Sequence, residues 1–282
     1  MASIESILAE VDQLKPVSDV AGKVMALLED PDSSIADLSD IIRHEPALTA
    51  NVLKLANSAY YGLPGKISDA KQAIIYLGMT QVVDLVLMVC CATSFAGSHD
   101  GYGLGKGQLW SSAVSTAILA SDLAEIKGLK NHGLLFTGAL LRDIGKIVLD
   151  PYVGKAIEKI QHRIDTQSIA FSEAERLVLG LDHNQVGAMI AEKWHFPPAL
   201  QCIIRHYHFP LEAKGCFVDA AIVHIADAIR CKMGIGVSVD DFTYPDDQRV
   251  ADAVGLDQSD WKHAVDGFEA KIQRVQTLFG LS

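Results

Sequence analysis

The chain has 282 residues, of which 49% are hydrophobic and 21% charged, and its 35 acidic against 24 basic residues give a formal net charge of −11. This composition excludes a disordered or fibrous chain. The acidic excess also argues against nucleic-acid binding, because phosphate backbones are bound through clustered Lys and Arg side chains. We therefore expect no nucleic-acid partner.

The cysteines and the apolar segments predict a soluble protein of a reducing compartment. Cysteines occur at positions 90, 91, 202, 216 and 231, and an odd number without C-x-x-C spacing indicates neither a disulfide framework nor a zinc ribbon. The N-terminus lacks the pattern of a signal peptide. The apolar run Val82–Ala92 is shorter than the roughly 20 residues of a membrane span and contains Asp84. We expect a cytoplasmic protein without membrane contact, in which this run is a buried helix.

Apolar residues recur at helical spacing from the N-terminus onward, and no segment alternates with the period of a β-strand. The pattern predicts a first lobe, residues 1–96, made of short helices. These helices cover 4–14, 17–28, a segment that begins at Ser34, 46 to about 59, and two segments with N-cap candidates at Ser68 and Thr80. Ser34 and Asp37 have the spacing of a capping box.

Five glycines within residues 97–107 interrupt the helical pattern. A phosphate-binding loop does not fit, since Gly107 follows Lys106 where Ser or Thr is required. We predict a flexible linker here and a second lobe over residues 108–282. The predicted helices of that lobe cover 109–126, 134–149, 173–179, 185–194, 199–208, 218–232 and about 261–278, the last preceded by a polar stretch at 240–249. The expected fold is all-α and two-lobed.

The second lobe contains four groups of candidate metal ligands. They are Arg142-Asp143-Ile144-Gly145-Lys146, Asp182-His183, His206-Tyr207-His208, and His224 with Asp227. Imidazoles and carboxylates that converge from separate helices can hold a metal ion that activates water for phosphoester hydrolysis. Structural explanations are also available, and we favour them for Asp182 and His224: a helix cap at Asp182, an Asp143–Lys146 ion pair, and a core position for His224. The residues alone leave these alternatives open.

The order of these segments resembles the HD-related output domain (HDOD) family, a branch of the HD-domain phosphohydrolase superfamily. In the first lobe the similarity lies in HEPALT at 44–49, LANSAYYG at 55–62 and AIIYLG at 73–78. In the second lobe it lies in Leu109-Trp110, Gly138–Lys146, Asp182-His183, Trp194 and Ile204-Arg205-His206. The similar region extends from about Leu14 to Met233.

The resemblance implies a multi-helical HD-domain-like fold with an altered metal site. Ser112 and Arg142 stand where two ligating imidazoles are expected in an HD phosphohydrolase. The remaining ligand positions match Asp143, His183, His206 and Asp227. A guanidinium cannot ligate a metal, so we expect Arg142 to pair with Asp143 or Asp227 in the space of a cation. Lys146 is expected at the same vestigial site.

The resemblance therefore implies a signalling module that acts by binding a protein partner and lacks hydrolase activity. No cofactor is expected, although the pattern leaves room for one divalent ion, Mn, Fe or Zn, held by Asp143, His183, His206 and Asp227. Two alternatives stay open. One is a metal-dependent phosphohydrolase with a reduced site, and the other is a binder of an anionic small ligand held by Arg142 and Lys146.

Overall fold

The computed structural model describes residues 4–13, 19–30, 32–57, 66–243, 247–266, 268–269 and 271–272. Within these ranges the chain is all-α, as predicted, with no strand beyond an isolated bridge between His99 and Leu104. None of the helices in these ranges combines the length and the apolarity needed to cross a membrane. Several predicted features lie outside the described residues: the start of the second helix at 17–18, residues 58–62 of the LANSAYYG segment, and the last part of the C-terminal helix, 273–278.

Six α-helices form the described residues of the first part of the chain. They are α1 (Ile4–Gln13), α2 (Asp19–Glu29), α3 (Ile35–Arg43), α4 (Pro46–Ala56), α5 (Ala70–Leu77) and α6 (Met79–Phe95). The predicted capping box at the start of α3 is confirmed, since Ser34 and Asp37 each accept a hydrogen bond from the other's backbone N–H. The predicted cap of α5 is off by one position, because Asp69 rather than Ser68 accepts from the helix backbone. Thr80 lies inside the first turn of α6.

Where the structure describes the second part, nine α-helices follow. They are α7 (Gln108–Ile126), α8 (His132–Leu141), α9 (Lys146–Gln167), α10 (Phe171–Leu179), α11 (His183–Lys193), α12 (Pro198–His206), α13 (Phe217–Lys232), α14 (Asp247–Val254) and α15 (Gln258–Val265). The single helix predicted over 134–149 is instead two helices, α8 and α9, separated by a turn at 142–145. Helix α14 begins inside the polar stretch 240–249, where no helix was expected.

Helix α6 joins the two parts. It packs against α2, α4 and α5 and also against α7 and α8. Its residues 82–88 are all buried, including Asp84. A helix that is apolar around its circumference belongs in a protein core or a membrane, and the contacts on both sides confirm the predicted core helix.

The glycine-rich segment 97–107 is packed into the fold, so the prediction of a flexible linker is wrong. Gly101 and Tyr102 are buried in a short 3-10 turn, and the backbone N–H of Gly101 donates to Asp150 Oδ1 over 2.9 Å. A Cβ on Gly101 would lie 2.1 Å from the Asp150 carbonyl oxygen, which means that glycine is required for close contact with α9. The division into lobes at 96 and 107 stays a prediction.

A disulfide joins Cys202 in α12 to Cys216 immediately before α13, which corrects the expectation that the chain has none. The odd number of cysteines argued against a complete framework but did not exclude one bridge. The other three cysteines remain thiols. The bridge encloses the segment that carries Tyr207 and His208, two residues of the site described below.

Candidate functional site

The turn between α8 and α9, residues 142–145, lies against the N-terminus of α11. A Cβ on Gly145 would lie 2.0 Å from the His183 carbonyl oxygen, so this approach requires glycine. Asp182 caps α11 by accepting a hydrogen bond from Gln185 N over 2.8 Å. This is the helix cap that the sequence predicted as the structural explanation for Asp182. This contact brings the turn residue Asp143 and the first residue of α11 into one buried cluster.

Arg142 is completely buried and connects three helices through its guanidinium. Its Nη2 lies 2.6 Å from Asp227 Oδ1 in α13 and 3.0 Å from Asp143 Oδ2. Nη2 also donates to Ser112 Oγ in α7 over 2.6 Å, and Nη1 donates to the Ala139 carbonyl over 2.9 Å. The cation therefore fills the space between Ser112 and the two carboxylates.

The buried cations keep these carboxylates ionised. Burial alone would raise the pKa of Asp143, but Arg142 and Lys146 hold it well below its usual value. The pKa of Asp227 is likewise lowered, because Arg142 and Arg230 outweigh the effect of burial. The Arg230 Nε lies 2.8 Å from Asp227 Oδ1. Each carboxylate thus has two cationic partners without any metal ion.

Lys146 is a second buried cation beside the first. Its Nζ lies 3.1 Å from Asp143 Oδ1 and 2.8 Å from Asp240 Oδ2. Lys146 lowers the pKa of Asp240 to about 2 against the opposing effect of burial. Asp240 belongs to a short 3-10 turn before α14, and its only signal in the sequence was membership of a polar stretch.

Two imidazoles face each other next to Asp240. His183 Nε2 lies 2.9 Å from His208 Nε2, and His183 Nδ1 lies 2.7 Å from Glu175 Oε2. Burial would lower the pKa of His183, but the Glu175 carboxylate outweighs it and raises that pKa. Burial, together with the charge of His183, lowers the pKa of His208 well below its usual value. These opposite shifts favour the proton on His183 over the proton on His208, with His183 as donor to Glu175 and His208.

Tyr207 links the imidazoles to the carboxylates. Its hydroxyl donates to Asp143 Oδ1 over 2.7 Å and lies 3.4 Å from His183 Nε2. Its backbone carbonyl lies 2.9 Å from His224 Nδ1, so His224 belongs to the core around the site. Through Tyr207 the two halves of the cluster form one hydrogen-bonded network.

His208 rather than His206 is the imidazole of this cluster, which corrects the alignment made from the sequence. His206 ends α12 and is only half-buried, whereas His208 is buried against His183. Side chains two residues apart on helical backbone do not face the same side. The His206-Tyr207-His208 group contained the right residue, but no local pattern distinguished His208 from His206.

The structure brings together most of the predicted site residues. They are Ser112, Arg142, Asp143, Lys146, His183 and Asp227. Sequence reasoning missed Glu175, Arg230 and Asp240, and it named Tyr207 only as the middle residue of the His206-Tyr207-His208 group. Glu175 and Asp240 carry no motif, and Arg230 lies three residues after Asp227, a spacing typical of an ion pair on one helix.

The two halves of the cluster differ in their suitability for a metal ion. The space between Ser112 and the carboxylates does not fit one, because a guanidinium fills it. His183, His208 and Asp240 offer donor atoms within 4.8 Å of one another, of types that bind zinc, iron or manganese. An ion there would have to replace the proton between the imidazoles and the contact of Lys146 with Asp240. These three residues allow one ion, and of the predicted ligands only His183 is among them.

The comparisons with known proteins agree with the all-α fold. Residues 14–210 match the family model of the HDOD domain. The structure of an HDOD domain protein with unknown function from Geobacter sulfurreducens aligns with a TM-score of 0.75 and 24% identity, over 99% of this chain and 96% of that one. A candidate phosphohydrolase from Shewanella amazonensis SB2B aligns with a TM-score of 0.73 and 22% identity, over 98% of each chain.

A curated relative that the chain matches is longer. This uncharacterized protein of Treponema pallidum (strain Nichols) is 23% identical over 209 residues, which is 73% of this chain. The aligned region spans 40% of that relative's length. The similarity therefore concerns one part of the relative.

Proposed function

The chain belongs to the HDOD domain family, and we propose that it is a non-catalytic member, a regulatory module of bacterial signal transduction that acts by binding a protein partner. One observation carries this proposal: Arg142 is fully buried and pairs with both Asp143 and Asp227. A metal-dependent hydrolase of the same ancestry would use those carboxylates to hold its ion. Here a side chain takes that role.

The chemistry of hydrolysis supports the same conclusion. A catalytic metal must hold a water molecule at an open coordination position and lower its pKa. The Arg142 guanidinium offers no lone pair, stays charged at any usable pH and repels a cation. The Ser112 hydroxyl already accepts a hydrogen bond from that guanidinium. Neither residue replaces a ligating imidazole.

A phosphohydrolase with a reduced site is the second candidate, and the cluster of His183, His208 and Asp240 is the observation that favours it. A single ion bound there would supply an activated water. The Glu175 carboxylate on His183 Nδ1 would then fix the orientation of that ligand. Against this candidate, Lys146 already neutralises Asp240.

Binding of an anionic small ligand is less favoured. Arg142 and Lys146 are buried and each contacts two carboxylates. An anion would have to displace these carboxylates and then lie beside them, which like charges oppose. The proposal therefore places ligand recognition elsewhere on the protein.

The deciding experiment measures metal content and hydrolysis on the same preparation. We expect substoichiometric Mn, Fe and Zn, and no hydrolysis of phosphomonoesters, phosphodiesters or cyclic nucleotides above a buffer blank, with or without added metal. Metal-dependent hydrolysis that is lost in both His208→Asn and Asp240→Asn would overturn the proposal in favour of the second candidate. His206→Asn is the matched control, because it removes an imidazole two residues from His208 and outside the cluster.

A further inference from the structure

A surface groove of about 780 Å³ lies between α9 and the C-terminal half of α10. Its α9 side carries Lys155, Lys159 and Arg163, and its α10 side carries residues 177–179. The groove is separate from the buried cluster, none of whose ionised groups lines it. It joins a cationic row and an apolar edge on an otherwise acidic protein.

The three cations form one row that is available to a partner. Lys155, Lys159 and Arg163 are spaced four residues apart, so they lie on one helix face at intervals of about 6 Å. All three are exposed, and none forms an ion pair within the described part of the chain. Glu158 also lines the groove, beside rather than within the row. His162 also lines the groove on this side.

The opposite edge of the groove is apolar. Leu177 is 59% exposed, which is high for a leucine, while Val178 and Leu179 continue the wall into the core. A phosphate or a nucleic-acid backbone would use the cations and leave Leu177 in water. A ligand that covers both sides must be amphipathic, with carboxylates on one side and apolar groups on the other.

We propose that this groove binds an acidic amphipathic helix of a protein partner, with its carboxylates on the three cations and its apolar side chains over Leu177. A helix with Glu at every fourth position presents carboxylates at the spacing of the row on α9. The inference rests on the proposed function and names the chemistry of the partner. Salt screens exposed ion pairs, so such binding is salt-dependent. Because each exposed pair is weak, binding also requires the apolar contact.

The test uses the full chain and a fluorescein-labelled synthetic helix with Glu at every fourth position and Leu on the adjacent face. Fluorescence anisotropy of the K155E/K159E/R163E variant should show binding at least about tenfold weaker than that of the unmodified protein. The matched control K71E/K106E/K130E changes the net charge equally at three exposed lysines outside the groove. It should bind within about twofold of the unmodified protein. L177S should weaken binding without changing the salt dependence.

Three outcomes would overturn the proposal. The first is the absence of saturable binding of the acidic helix. The second is an equal weakening of binding in the K155E/K159E/R163E variant and in its control. The third is binding of the protein to phosphatidylserine vesicles but not to the peptide. The result is separable from that of the hydrolysis assay. If the peptide does not bind and no hydrolysis is found, the groove proposal is wrong and the non-catalytic assignment remains. If hydrolysis is found and the peptide binds through the groove, the non-catalytic assignment is wrong and the groove proposal remains.

Discussion

The guanidinium of Arg142 lies 2.6 Å from the carboxylate of Asp227, with both side chains buried. The pair joins the turn after α8 to the middle of α13, which are far apart in sequence. Taking ions out of water costs several kcal/mol each, so a buried pair persists only when its partners are satisfied. Under the proposed non-catalytic function, we expect Arg142 to act structurally where an HD phosphohydrolase would use a metal ion.

Replacing Arg142 should destabilise the fold strongly. Arg142→Ala leaves Asp143 and Asp227 buried with one cation fewer, and we expect the free energy of unfolding to fall by about 3–5 kcal/mol. Urea denaturation followed by circular dichroism measures it. Arg43→Ala is the control, because Arg43 pairs with Asp40 on the surface with side chains 63% and 54% exposed. That change should cost less than about 1 kcal/mol, and equal effects of the two variants would contradict the structural role.

Restoring the two imidazoles should restore metal affinity. In Ser112→His combined with Arg142→His, the cation that blocks Asp143 and Asp227 is removed and two nitrogen donors are added. Calorimetric titration with Mn, Fe or Zn should show tighter binding than either single variant, and metal content should approach one ion per chain. If the double variant binds no more metal than the single ones, the site does not derive from an HD metal centre.

The Cys202–Cys216 bridge should stabilise the segment that carries Tyr207 and His208. Its ends are 14 residues apart, and closing a loop of this size stabilises a fold by about 3 kcal/mol. Reductant should lower the unfolding free energy of the unmodified protein by this amount and leave that of C202S/C216S unchanged. Thiol titration of the unfolded, unreduced chain should detect Cys90, Cys91 and Cys231 alone. Detection of five thiols would mean that the bridge does not form.

The sequence predicted those features whose signals are local. The capping box of Ser34 and Asp37 is written in four consecutive residues, and the motif that contains Arg142 and Asp143 is recognised by its residue order. The turn that carries this motif was not predicted, since a continuous helix was expected over 134–149. Asp240 could not be predicted, because its role depends on a turn that folds back onto Lys146 from 94 residues away. Only the packing of the folded chain brings Asp240 and Lys146 together.

The glycine-rich segment shows a different error, in which a signal present in the sequence was misinterpreted. Composition alone predicted a flexible linker at 97–107, because glycine both loosens a chain and permits close contact. Gly101 serves the second purpose, with the Asp150 backbone in the space that a Cβ would occupy. A sequence contains the glycine but does not show the neighbouring backbone that makes glycine necessary. The choice between His206 and His208 failed for the same reason, because the sequence does not show which imidazole lies against His183.

Asp84 should give the stability of the protein an unusual dependence on pH. It lies buried in α6, where Thr137 Oγ1 and Gln81 Nε2 each lie 3.4 Å from one of its oxygens. Within the described residues no cation pairs with it, and burial raises its pKa well above 3.8. A carboxyl group whose pKa rises on folding binds its proton more tightly in the native state. Its contribution is complete below the unfolded pKa and is lost as the pH rises through the folded pKa.

Asp84→Asn should therefore stabilise the protein most at neutral and alkaline pH. The amide keeps a similar shape but carries no charge, so the gain over the unmodified chain should grow from about zero at pH 4 to more than about 1 kcal/mol at pH 8. Urea denaturation at several pH values measures this difference. The control is Asp32→Asn at an exposed position, which should change the free energy of unfolding by less than about 0.5 kcal/mol. If the gain for Asp84→Asn does not change with pH, Asp84 titrates alike in the folded and unfolded chains. Its burial then does not govern its charge.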